Sequence, residues 1–293
     1  MKGHFLTGEE LSGGELATIV DRSLELKAGR AAGLGADVLA GRTVALLFER
    51  PSTRTRISFQ VGVAELGGHP LALRADELQL GRGESIADTA RMLSRYLHAV
   101  VIRSGSDETA AELAAALEVP LINGLTPLHH PCQALADLVT LRERFGTLAG
   151  LVVAYVGDGN NVARSLALLG RAAGVEVRLA SPPGLELEPG LAALATEDPH
   201  EAAAGADAVY TDVWVSMGDE EEAESRREAL APYRLDEELL AAASDRAVAL
   251  HCLPAHPGEE ISEGVLYGER SAVWDQAENR LHAQKALLEH LLG

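Results

Sequence analysis

The chain has 293 residues, 47% hydrophobic and 24% charged, the balance of a globular protein with room for two domains and not of a disordered one. Its formal net charge of −19 opposes non-specific attraction to nucleic acid or anionic membranes, so any small anion it binds must meet a local cluster of positive charge. Cys132 and Cys252 are too few for a disulfide framework or a four-thiolate zinc site. No apolar run is long enough to cross a bilayer, and the opening Met1-Lys2-Gly3-His4-Phe5 lacks the apolar core of a secretory signal. A cytoplasmic protein with no nucleic-acid and no membrane partner is expected.

In chain order, residues 7–40 read as two helices, 8–28 and a shorter one near Asp37. The apolar run 44–48 reads as a buried strand, and Ile57, Val61 and Ala64 recur at helical spacing over 52–66. The stretch Glu49-Arg50-Pro51-Ser52-Thr53-Arg54-Thr55-Arg56 therefore lies where a strand turns into a helix. A helix start presents unpaired backbone N–H groups and the positive end of the dipole. Ser52 is a candidate N-cap, Thr53 and Thr55 add hydroxyls, and Arg54 and Arg56 add planar cations that match phosphate oxygens. Together they describe an anion site, for phosphate above all, against the blander reading of a Ser-capped helix with solvated arginines.

An extended run over 70–73 leads into a polar loop, 74–84, which holds Gln79, Gly81 and Gly83 and suits a lid, a contact loop or a plain connector. Ser85 with Asp88 resembles a capping box for a helix to about Leu97. Strand 99–102 ends in Arg103, placed where open α/β sheets bind ligands. Helix 107–117 and strand 120–123 follow. His129-His130-Pro131-Cys132-Gln133 then opens a helix to about Phe145, with His130 and Gln133 on one face. Two histidines and a cysteine suggest zinc, but no further ligands stand nearby.

Residues 146–150 read as the junction between the domains. Strand 151–156 leads into Gly157-Asp158-Gly159-Asn160-Asn161-Val162 and a helix to Ala173, which is half of a dinucleotide fingerprint. Val162 replaces its third glycine, and strand 175–180 ends in Ser181-Pro182-Pro183 with no acid for a ribose. Helices are expected over 191–195 and 199–205. Strand 208–211 then delivers Asp212-Val213-Trp214-Val215-Ser216-Met217-Gly218, a carboxylate and loop able to grip an ammonium group. A charged helix over 219–227 reads as a solvated face, followed by helix 236–243. Strand 248–250 ends in His251-Cys252-Leu253-Pro254, where Cys252 is a reactive thiol or a small buried hydrophobe. An amphipathic helix with Leu281, Leu288 and Leu292 closes the chain. The fold class is α/β, with two domains, each a mainly parallel sheet flanked by helices: 1–145, completed by a C-terminal helix 276–293 that returns to it, and 146–275.

These motifs resemble those of the aspartate/ornithine carbamoyltransferase family, in the family's order and over nearly the whole chain. Ser52-Thr53-Arg54-Thr55-Arg56 is similar to its Ser-Thr-Arg-Thr-Arg signature, and His130 to Asp137 to its His-Pro-x-Gln-Ala-Leu-Ala-Asp motif. Asp158-Gly159-Asn160-Asn161, Ser216-Met217-Gly218 and His251-Cys252-Leu253-Pro254 match three further motifs, the Ser-Met-Gly loop being that of the ornithine enzymes. The resemblance implies that Ser52, Thr53, Arg54 and Thr55 hold carbamoyl phosphate, with Gln79, Arg103, His130, Gln133, Cys252, Leu253 and Arg280. It implies that Asn161, Asp212, Ser216 and Met217 hold ornithine, and that Arg54, Arg103, His130 and Cys252 are catalytic. No metal and no organic cofactor is implied. A homotrimer or stacked trimers, with Gln79 near a neighbouring subunit's site, is. The implied reaction carries the carbamoyl group to the δ-amine of L-ornithine, giving citrulline and phosphate. Three readings remain beside it: another acceptor (N-acetylornithine, N-succinylornithine or putrescine), an NAD-dependent oxidoreductase argued from Gly157 and Gly159, and a non-catalytic phosphate-metabolite binding protein.

Overall fold

Apolar runs of strand length alternate with helical periodicity, and in the computed structural model they build two parallel sheets; the structure describes residues 3–49, 52–74, 83–215 and 222–293. The chain divides into two compact units, one of Met1–Val139 with Glu278–Gly293, the other of Thr140–Ala277.

The first unit holds β1 (Thr43–Phe48), β2 (His69–Arg74), β3 (Ala99–Arg103) and β4 (Leu121–Leu125), all parallel, in the order β2-β1-β3-β4. Val44 to Leu47 and Ala99 to Ile102 are buried without alternation, the mark of a sheet covered on both faces. Its helices are α1 (Gly13–Ala28), α2 (Thr53–Glu65), α3 (Ile86–Tyr96), α4 (Asp107–Ala116) and the first part of α5 (Pro131–Phe145). Helix α1 starts later than residue 8. Ser12 and Glu15 form a complete capping box, and the Glu10 carboxylate collects the N–H groups of Leu6, Thr7 and Gly8 into a turn. The helix expected near Asp37 is replaced by one 3-10 turn, Arg30–Ala32, and further turns; Gly33, Gly35 and Gly41 all take positive φ there, which interrupts a helix.

The second unit holds β5 (Val152–Val156), β6 (Glu176–Ala180), β7 (Leu194–Thr196), β8 (Ala208–Thr211) and β9 (Val248–His251), parallel, in the order β7-β6-β5-β8-β9. Around it lie α6 (Asn161–Ala173), α7 (Pro199–Ala203), α8 (Ala223–Leu230), α9 (Glu237–Ala242) and α10 (Glu263–Leu266). Residues 191–195, expected as helix, instead enter β7. The open edge of β6 offers backbone groups that must be paired, and Ala193 N–H donates to Val177 O at 2.8 Å while Ser181 N–H donates to Thr196 O at 3.1 Å. Sheet pairing overrides the helix propensity of the alanines.

Helix α11 (Val273–Leu292) belongs to the first unit from Glu278 onward. Lys285, buried, pairs with Glu65 at 2.8 Å, and Arg22 pairs with Glu289 at 3.0 Å. Gly62 permits this packing: a Cβ there would sit 3.2 Å from Lys285 Cγ and 3.4 Å from Leu281 Cδ1. The close approach of α2 sets Thr55 beside Arg280.

Both sheets have a switch point. From β1 the chain moves to β2 on one side and later to β3 on the other; β5 and β8 repeat the pattern. Loops diverge at the carboxyl ends of such strand pairs and leave a place for ligands. Among the described residues no helix is long and apolar enough to cross a membrane.

Candidate active site

In the first unit the polar groups gather where β1 and β3 end. Ser52 is extended and opens α2, yet its hydroxyl caps no backbone N–H among the described residues. Ser85, by contrast, accepts from Asp88 N–H at 3.1 Å, a working cap. Thr53 and Arg54 are exposed, Thr55 is buried and Arg103 is half-buried. Phe48 and Arg103 are partners in the sheet register, so both strand ends open at one level. Glu49 ties them together: its N–H donates to Arg103 O at 3.0 Å, and its carboxylate accepts from Ser104 Oγ at 2.9 Å and Gly105 N–H at 2.7 Å. Nothing local marks Glu49 inside the same stretch, because its partners lie more than fifty residues away.

Arg280 arrives from α11 and is only 3% exposed. Its Nη1 donates to Gln133 Oε1 at 3.0 Å and its Nη2 to Thr55 Oγ1 at 2.5 Å. Gln133 Nε2 in turn donates to Asp137 Oδ1 at 2.8 Å, which fixes which way the amide faces. His130 stands just before α5, rather than on the helix face it was expected to share with Gln133, and its imidazole lies within reach of the charges of Arg280, Arg103 and Arg54. Burial first, then the positive charges of Arg280, Arg103 and Arg54, push the His130 imidazole well below its ordinary range. It is therefore a neutral ring at physiological pH, set among three arginines.

That depression has a measurable consequence. A group whose folded value is lowered contributes stability that is full above the unfolded value, about 6.5, and is lost as pH falls below it. Between pH 7.5 and pH 5 the wild-type chain should lose up to about 2 kcal/mol more unfolding free energy than His130→Gln. Urea melts of both proteins at the two pH values measure the difference; parallel losses would mean that His130 is not held neutral.

His129 does not join His130. Its Nδ1 lies 3.1 Å from Asp107 Oδ1, and the same carboxylate accepts from Thr126 Oγ1 at 2.6 Å and Leu128 N–H at 3.0 Å. Asp107, at the start of α4, thus shapes the turn that leads into α5. Cys132 is fully buried and donates to Asn123 O at 3.3 Å; burial pushes its thiol up to about 12, so it stays protonated.

In the second unit the groups gather where β5 and β8 end, with β9 alongside. Asn160 caps α6 through Oδ1, which accepts from Val162 N–H at 2.9 Å and Ala163 N–H at 3.2 Å, and Tyr155 Oη donates to it at 3.1 Å. The other end of the amide, Nδ2, donates to Asp212 Oδ2 at 2.8 Å. Asp212 Oδ1 accepts from Cys252 Sγ at 2.7 Å and from Val213 N–H at 2.8 Å. Asp212 and Cys252 are thus brought together, with Asn161 beside them as the first residue of α6. In the sequence only its position just ahead of α6, that of a cap residue, marks Asn160 beside Asn161. Burial, then Asp212, Cys252 and Asp158, raise the Tyr155 phenol well above its usual value, so it remains a donor.

Gly157 takes φ +123°, and Gly159 is shaped by packing rather than by an open phosphate cradle. A Cβ on Gly159 would come within 2.7 Å of Leu185 O and 2.8 Å of Leu187 N, so the chain's own backbone occupies that space. Gly159→Ala should therefore cost roughly 1–3 kcal/mol of stability by overpacking, read as a lower denaturant midpoint; an unchanged midpoint would refute the close approach. The ligand atoms of Asp212, His251 and Cys252 lie within 4.8 Å of one another. Both ring nitrogens of His251 are already engaged, by Leu253 N–H and by Glu260, which leaves none for a metal. Gln79, Ser216 and Met217 lie outside the described residues.

Two doubly wound sheets, one presenting arginines and hydroxyls around a neutral imidazole and the other a carboxylate beside a thiol, define a group-transfer enzyme rather than a nucleotide-dependent oxidoreductase. Known proteins make the class specific. The family model "Aspartate/ornithine carbamoyltransferase, carbamoyl-P binding domain" matches residues 3–143, and its companion for the Asp/Orn binding domain matches residues 149–291. The chain belongs to the aspartate/ornithine carbamoyltransferase family. It is 54% identical to the ornithine carbamoyltransferase of Parafrankia sp. (strain EAN1pec), over 99% of this chain and 96% of that one. Among solved structures it is similar to ornithine carbamoyltransferase from Pyrococcus furiosus, with a TM-score of 0.94 and 44% identity over 100% of this chain and 98% of that one. The Thermus thermophilus ornithine carbamoyltransferase gives 0.89 and 44%, with 96% of each chain covered.

Proposed function

We propose that this chain transfers the carbamoyl group of carbamoyl phosphate to the δ-amine of L-ornithine, giving L-citrulline and phosphate. The observation that carries the reading is the buried Arg280 guanidinium, shared between Thr55 and Gln133 beside a neutral His130. Full-length likeness to ornithine carbamoyltransferases supports ornithine as the acceptor.

In this reading Ser52, Thr53, Arg54 and Thr55 take the phosphate with the first N–H groups of α2. The carbonyl oxygen meets Arg103, His130, Arg280 and the Thr55 hydroxyl. Thr55 accepts from Arg280 through Oγ1, so its hydrogen is available to a ligand oxygen. Gln133 and the Leu253 carbonyl receive the carbamoyl amide. A neutral His130 can donate from one nitrogen without adding charge to a cluster that already holds three arginines. Asp212 takes the α-ammonium of ornithine, with Asn161 and Ser216 for the carboxylate and Met217 against the chain. Cys252 orients the δ-amine. The amine lone pair attacks the carbonyl carbon, the oxyanion is held by the cationic set, the C–O bond to phosphate breaks, and the departing phosphate takes the proton from nitrogen. Gln79 and a homotrimer or stacked trimers are inherited from the family resemblance, and a cytoplasmic setting is carried over from the sequence expectation. Light scattering tests the assembly, and a mass of one chain would overturn it.

The deciding assay is citrulline formation from carbamoyl phosphate and L-ornithine, run beside aspartate, putrescine, N-acetylornithine and N-succinylornithine. Turnover with L-ornithine alone is expected. Turnover with a different amine would keep the phosphate site and discard the acceptor assignment.

A further inference from the structure

We infer that Glu260 is a positioning residue that fixes the Cys252–Leu253 turn through the tautomer of His251. The inference rests on the proposed function for what Cys252 and Leu253 do, and it adds a residue to which neither a family motif nor the mechanism assigns a role.

His251 is the last residue of β9, and Glu260 sits in the turn that the Pro257–Ile261 bridge closes. Both side chains are completely buried. Glu260 Oε1 accepts from the backbone N–H of His256 at 2.5 Å and lies 3.0 Å from His251 Nε2. The turn itself is anchored: Leu235 N–H donates to Glu260 O at 2.9 Å, and Gly258 N–H donates to Ile261 O at 2.8 Å. On the far side of the ring, Leu253 N–H donates to His251 Nδ1 at 2.8 Å.

A backbone N–H can only donate, so Nδ1 must present its lone pair. The ring proton therefore sits on Nε2 and points at the Glu260 carboxylate. Remove the carboxylate and only the Leu253 N–H is left to favour that tautomer, with no acceptor for the ring proton on Nε2. A proton on Nδ1 would then face the Leu253 N–H, donor against donor, and the turn would lose its bond.

The bond has work to do at Leu253. That residue holds φ +58°, in the left-handed region that a side-chain-bearing residue seldom occupies without local support. Its conformation aims the Leu253 carbonyl and sets the geometry of the preceding residue, Cys252, whose thiol meets Asp212 at 2.7 Å. Upstream, His251 N–H donates to Gln276 Oε1 at 2.9 Å and holds the strand end. Because both ring nitrogens are engaged, the pair acts by holding geometry and does not carry the thiol proton.

The test uses the full-length protein, steady-state kinetics with carbamoyl phosphate and L-ornithine, and nitrogen NMR of the histidine rings. Wild type should show His251 as the Nε2–H tautomer. Glu260→Gln keeps a carbonyl oxygen for both donors, so it should keep that tautomer and hold kcat within about ten-fold of wild type. Glu260→Leu offers no acceptor; its kcat should fall about 100-fold, the scale of a misaimed reacting group, and KM for carbamoyl phosphate should rise with it, since the Leu253 carbonyl that receives the amide is misaimed too. Should the Leu variant fail to fold, His251→Asn decides. Its Oδ1 can accept from Leu253 N–H with no tautomer to select, and kcat within about ten-fold is expected. Equal kcat losses in Gln and Leu variants, wild-type turnover in the Leu variant, a collapse of kcat in His251→Asn, or an Nδ1–H tautomer in wild type would each overturn the inference. If wild type does not carbamoylate ornithine, the proposed function fails first, while the ring spectra still test the tautomer.

Discussion

Arg54→Ala should lower kcat/KM for carbamoyl phosphate by about 100- to 1,000-fold while leaving the melting temperature within about 2 °C of wild type. The size follows from what is removed. A guanidinium in a phosphate site makes charge-assisted hydrogen bonds worth roughly 1.5–3 kcal/mol, and more where charge develops on the departing group. The absence of a stability cost follows from exposure: Arg54 stands at the surface of α2, so no buried partner is orphaned. Arg280→Ala is the contrasting experiment. That side chain is buried between Thr55 and Gln133, and its loss leaves both short of a partner, so turnover and stability should fall together. Steady-state kinetics, isothermal titration with carbamoyl phosphate and a thermal melt separate the two variants. Wild-type kinetics in Arg54→Ala would sink the phosphate assignment of Ser52 to Thr55.

Asp212→Asn should raise KM for L-ornithine by about 100-fold and leave carbamoyl phosphate affinity within about two-fold, the loss of one strong charge-assisted contact. The substitution keeps shape and changes only charge and donor pattern. Three donors converge on the carboxylate: Asn160 Nδ2, Cys252 Sγ and Val213 N–H. An asparagine has one acceptor oxygen for them, so its amide nitrogen must face a donor. It also forfeits the negative charge that an α-ammonium group would meet. Titration with each substrate alone provides the check. A variant that loses carbamoyl phosphate and keeps ornithine would reverse the assignment of the two ligands.

Much of the architecture was legible because parallel sheets write themselves plainly. Strands buried on both faces appear as unbroken apolar runs, and 44–48, 99–102, 151–156, 208–211 and 248–250 each became a strand within a residue or two at either end. The short edge strand β7 was not legible, since its three residues carry no pattern and exist as a strand because β6 had an edge to pair. The late start of α1 was decided by side-chain oxygens of Glu10 and Ser12 competing for backbone N–H groups, a contest that helix periodicity does not record.

The chemistry divides along the same line. By itself the sequence determined the types of group available and their local setting: hydroxyls and arginines at the mouth of α2, an imidazole and an amide at the start of α5, a carboxylate after β8 and a thiol after β9. Those are properties of neighbours in the chain, fixed by strand ends and helical spacing. Only the tertiary structure decided what each group is bonded to. Thr55 and Arg280 are 225 residues apart, and Asn160 and Asp212 are 52 apart. Glu49 holds the loop after β3 from the end of β1, and Glu260 selects a histidine tautomer from a turn nine residues on. Hydrogen bonds and burial depend on distance in space, and the folding of α11 against α2 and the order of strands in each sheet create those distances.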